Sequence, residues 1–71
     1  MESSQAFMEI VYLLNLYGAE FEDALVILTT IQDAGKEEEL LDWMLEQENP
    51  PKVNLILEKA VSLSGLIEKT D

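Results

Sequence analysis

Residues 36–51, KEEELLDWMLEQENPP, concentrate the groups of this chain that could do chemistry. Glu38 with Asp42, and Asp42 with Glu46, stand four apart, which makes each pair neighbours on a helix surface. Carboxylates so placed act as a general acid and base, or hold a hard cation, when burial or a second element completes the site. The same segment carries Leu40, Leu41, Met44 and Leu45 at the spacing of an apolar helix face. Glu38, Glu39, Asp42 and Glu46 then fall on the opposite, wet face, where a solvated helix surface is the expected reading. The preceding loop, DAGKEEE, lacks the alternating oxygen ligands of a calcium loop. Glu37, Glu38, Asp42 and Glu46 are therefore read as a surface that an outside partner could meet, not as a metal or catalytic site.

No other chemistry is better supplied. Ser3, Ser4, Ser62, Ser64 and the four lysines have no His or Cys to work with, because the chain contains neither. There is no nucleophile elbow, phosphate-binding loop or metal-ligand pattern. A non-enzyme without cofactor or metal is expected.

Charge narrows the partners. Fifteen acids stand against four lysines, for a formal net charge of −11. Such a chain repels phosphate backbones and anionic lipid surfaces, so neither nucleic acid nor a membrane is an expected partner, and a basic protein is the natural one. The hydrophobic fraction, 48%, is well above the range of disordered chains, so the sequence folds. At 71 residues it is one domain, residues 1–71, with a small core and no disulfide to reinforce it. The beginning, MESSQAFMEIVYLL, carries an acid where a secretory signal needs basic residues. No apolar run approaches the roughly 20 residues of a membrane span. A cytoplasmic location is expected.

Four segments with helical periodicity must position these groups. In the first, about Ser4 to Tyr17, Phe7, Ile10, Val11, Leu14 and Tyr17 fall on one side. Ser3 or Ser4 caps its start and Gly18 ends it. In the second, about Glu20 to Ala34, the stripe is Phe21, Ala24, Leu25, Leu28 and Ile31, closed by Gly35. The third, about Lys36 to Glu48, is the acidic segment, stopped by Asn49-Pro50-Pro51 because the residue before proline leaves the helical region. The fourth, about Pro51 to Glu68, has Val53, Ile56, Leu57, Ala60, Leu63 and Ile67 as its stripe, with Ser64-Gly65 weakening its end. The connections are short, so the predicted architecture is all-α: a compact four-helix domain with the third helix shortest. Trp43 and Tyr17 are candidate anchors of an interface, since large aromatics concentrate binding energy; for Trp43 a place in the core is the favoured reading.

Two families share some of these features. An acidic four-helix domain of this size resembles the acyl carrier proteins, whose prosthetic arm hangs on the Ser of an Asp-Ser-Leu triplet opening a helix. The nearest sequence here, Val61 to Gly65 (VSLSG), has no Asp and lies in mid-helix, which removes that function. LYGAEFEDALVIL followed by ELLDWMLEQ is similar to the ubiquitin-associated three-helix domain, with Ala24-Leu25, Leu28 and Trp43-Met44-Leu45 matching in kind. Leu16-Tyr17-Gly18 runs in the wrong order for that family's recognition turn, and the fourth helix has no counterpart there. The shared pattern is the one common to helical bundles.

One stripe per helix does not use up the apolar residues. Met8 and Leu16 lie off the main face of the first helix, Val26 off that of the second, and Leu55 and Leu66 off that of the fourth. A helix apolar nearly all round is buried on more than one side. The expected function is therefore a non-catalytic protein-protein interaction module. It is expected to form a homodimer through residues of the first helix and some of Met8, Leu16, Val26, Leu55 and Leu66. The alternative is an acidic inhibitor of a basic protein, an immunity factor or nucleic-acid mimic acting through Glu37, Glu38, Asp42 and Glu46.

Overall fold

The four apolar segments form four α-helices in the computed structural model, which describes residues 4–65. They are α1 (Gln5–Leu16), α2 (Phe21–Ala34), α3 (Glu37–Glu46) and α4 (Val53–Ser64), and α3 is the shortest. Local chemistry sets their ends. The Ser4 hydroxyl accepts a hydrogen bond from the Phe7 amide at 3.0 Å, satisfying one of the four amides a helix start leaves without a partner. At the far end of α2, Gly35 adopts φ +69°. Its own amide and that of Lys36 turn back onto the carbonyls of Gln32 and Ile31, a reversal that the left-handed backbone of glycine allows. Ser64-Gly65 proves to be a stop, since α4 ends at Ser64 with Gly65 left-handed. The remainder of the expected fourth segment, to Glu68, lies outside the described residues.

The core is built from Ile10 and Leu14 of α1, Ile27 and Ile31 of α2, Leu40 and Met44 of α3, and Ile56 and Ala60 of α4, with Ala6 and Leu41 at its margin. No polar or charged side chain is buried among the described residues. Trp43 and Tyr17 are half-buried against this cluster, and the Lys59 ammonium stands 6.0 Å from the Trp43 ring centre, within reach of a cation–π attraction. The radius of gyration, 11.6 Å, is close to the about 11 Å of a folded chain of this length.

The helices share their surfaces unequally. The broadest contact joins α2 to α4; α1 lies against α3 most and against α2 somewhat less. Three of the expected stripes are corrected. On α2 the buried positions are Ile27 and Ile31; of the expected stripe, Ile31 is buried and Ala24 and Leu28 pack partly against the core. Phe21 and Leu25, expected inside, are 78% and 52% exposed. On α1 the buried line is Ala6, Ile10 and Leu14, and Val11 is left at the surface. On α3, Leu40 and Met44 take the centre of the buried face, which carries Leu45 out past Leu41 to 60% exposure. No helix among the described residues is long and apolar enough to cross a membrane.

Candidate functional site

Two surfaces follow from this arrangement, one acidic and one apolar. The acidic one is the outer face of α3. Glu38, Asp42 and Glu46 are exposed, and Glu37 is half-buried at the helix start. Glu37, Glu38 and Glu39 occupy the first turn, where the helix dipole favours negative charge. Lys36 reaches Glu39 at 3.4 Å, with both side chains well exposed, a pairing worth little in water. No group of three or more His, Cys, Asp or Glu among the described residues is arranged to hold a metal ion. Among the described residues Glu38, Asp42 and Glu46 stand uncovered in solvent. As placed, they supply an electrostatic field and no desolvated acid–base pair.

The apolar surface lies between α1 and α2. Because α2 commits its buried side to α4, its Phe21–Leu25 side faces α1 across a gap. The result is a groove of about 420 Å³ walled by Val11, Tyr12 and Asn15 on α1 and by Phe21, Leu25 and Leu28 on α2. Tyr12 is 65% exposed, so together with Phe21 and Leu25 it stands as an open wall, not the lining of a closed cavity. Tyr12 also borders a shallower depression shared with Met8 and Glu9. Met8, Val11, Tyr12 and Asn15 repeat at three and four, so α1 carries a second stripe, largely apolar, on the side away from its core stripe. Leu16 follows Tyr12 by one turn on the edge of that stripe.

The expected self-association residues distribute as follows. Met8, Leu16, Val26 and Leu55 are all exposed in the single chain; Leu66 lies outside the described residues. Met8 lines the adjoining shallow depression but not the groove, and Leu16 lines neither. Val26 and Leu55 line none of the groove. The groove's own walls, Tyr12, Phe21 and Leu25, were not singled out from the sequence as surface residues. Phe21 and Leu25 fit a core stripe equally well, but the spacing of Met8, Val11 and Tyr12 was a usable sign of a second face.

The Ser64 hydroxyl donates to the Val61 carbonyl at 2.7 Å, one turn back in α4, a local engagement typical of serine near a helix end.

No protein-family model, no curated protein and no solved structure matches this chain.

Proposed function

We propose that this chain is a non-catalytic protein-binding module whose working surface is the outer face of α1 together with the groove between α1 and α2. The observation that carries this reading is the exposure of Tyr12, Phe21 and Leu25 side by side along one groove. Scattered exposed apolar residues are ordinary in a small protein, whereas a contiguous apolar patch marks a contact surface. Fully burying one Leu or Phe side chain is worth about 1.5–3 kcal/mol. Covering these walls therefore supplies a driving force that matters on the scale of binding energies.

Self-association is a second reading of the same surface. The observation in its favour is the electrical quiet of α1, in which Glu9 is the sole charged residue between Gln5 and Leu16. Two anionic copies could meet there with the least repulsion. Sedimentation equilibrium at tens of micromolar separates the two: a dimer that dissociates on Leu25→Ser supports self-association, and a monomer leaves the groove for a different protein.

The module reading is tested by affinity capture from the native cell with three baits. They are the unaltered chain, the Tyr12→Ser/Leu25→Ser variant, and the Glu38→Gln/Asp42→Gln/Glu46→Gln variant. Partners lost with the groove variant and kept with the α3 variant support the reading. Partners lost only with the α3 variant favour an acidic inhibitor working through its carboxylates.

A further inference from the structure

Resting on that binding-module reading, we infer that the α1–α2 groove receives an amphipathic helix of another protein that carries basic residues beside its apolar stripe. Three observations converge on this occupant. The first is shape. The groove runs between two helices and its most prominent walls, Tyr12, Phe21 and Leu25, stand in solvent. Such an open trough suits a cylinder laid along it better than a small molecule, whose sites enclose most of the ligand surface.

The second is the spacing of the walls. On α1 the exposed stripe is Met8, Val11, Tyr12 and Asn15; on α2 it is the exposed Phe21 and Leu25 with the half-buried Leu28, and all of these but Met8 line the groove. Each is a helical ridge of residues three and four apart, and a third helix packs its own ridge between two such ridges.

The third is charge. No lysine precedes Lys36 and the chain has no arginine, so α1, α2 and the turn between them carry acids alone. Glu9 borders the depression that continues the groove at Tyr12. Glu20 and Glu22 flank Phe21 in the chain, and Glu22 precedes Leu25 by one turn. A helix with Lys or Arg along the edges of its apolar face meets these acids with complementary sign. A second copy of this chain brings a net charge of −11 and no cation within its own α1 or α2.

The probe is a fluorescein-labelled 18-residue peptide of Leu and Lys, with Leu at positions three and four apart and Lys elsewhere. Its two controls are a scramble of the same composition without the stripe, and a peptide in which Glu replaces every Lys. Binding to the full chain is read by fluorescence anisotropy at fixed, physiological salt. The expected result is saturable binding of the patterned peptide at least tenfold tighter than the scramble, and no binding of the Glu peptide. Tyr12→Ser and Leu25→Ser, each at an exposed position and each checked for unchanged helical circular dichroism, should weaken the patterned peptide at least fivefold. The Glu38→Gln/Asp42→Gln/Glu46→Gln variant should leave it within about twofold at that salt. Equal binding of scramble and patterned peptide, or loss of binding in the α3 variant alone, overturns the inference, because attraction is then general or centred on α3. No peptide binding together with a dimer broken by Leu25→Ser overturns the basic-helix occupant and leaves the binding-module reading standing. No peptide binding by a monomer whose cellular partners ignore the groove variant overturns both.

Discussion

Leu40 and Leu45 sit about 1.4 turns apart on α3 and have different fates. Leu40 is sealed in the core, while Leu45 is mostly in solvent. Leu40→Ala removes buried methyl groups and leaves a cavity, so it should cost about 2–5 kcal/mol, a large share of the stability of so small a domain. Leu45→Ala should cost less than about 1 kcal/mol, as surface changes usually do. Urea denaturation followed by circular dichroism measures both, and equal losses would place Leu45 inside. The acids of the same helix behave in the opposite way. Glu38, Asp42 and Glu46 are like charges four apart on an exposed face, so replacing all three with Gln should change stability by under about 1 kcal/mol or raise it. Unfolding of that triple variant would show that the carboxylates hold structure, and would end the reading of α3 as a solvated face.

At the scale of the helices, the ends are set by backbone geometry that can be tested singly. Gly35 has φ +69° and open space where a Cβ would stand. Gly35→Ala therefore meets no neighbour, and its cost is the left-handed backbone alone, about 1 kcal/mol. A shift in the urea midpoint corresponding to that loss is expected, and an unchanged midpoint would show that α2 does not depend on this turn. Such ends were legible in the sequence because they rest on local rules: a serine before an apolar run, a glycine after one. The number and order of the helices, and that the third is the shortest, were legible for the same reason. The rotation of each helix about its own axis was less so. In α2, Phe21-Ala24-Leu25-Leu28 and Ala24-Ile27-Ile31 are both acceptable apolar faces, and the choice between them is made by α4, a long way along the chain. In α1 the same ambiguity hides the Met8–Tyr12 face behind a plausible core stripe that includes Val11. The groove is the joint product of those two rotations, which is why its walls could not be assembled from either helix read alone.

For the whole molecule the dominant long-range feature is the excess of negative charge, −11 on 71 residues. Self-repulsion disfavours the compact state, and salt screens it. Raising NaCl from about 20 to about 200 mM, which shortens the screening length from roughly 20 Å to under 10 Å, should raise the thermal midpoint. A midpoint that falls would mean that attractive pairs such as Lys36–Glu39 outweigh repulsion. The same salt should weaken a complex with a basic helix without abolishing it, because the apolar contact in the groove is not screened.

In the proposed function the α1–α2 face, not the acidic face of α3, is where this protein meets another. Amide chemical-shift mapping of the ¹⁵N-labelled chain during titration with the patterned Leu/Lys peptide addresses this placement most directly, because it reports every helix at once. If the peptide lies in the groove, the largest shifts fall on residues 8–16 of α1 and 21–28 of α2, saturating together, while the exposed positions of α3 move little. Shifts centred on Glu38, Asp42 and Glu46, or spread evenly over all the acids, would contradict it.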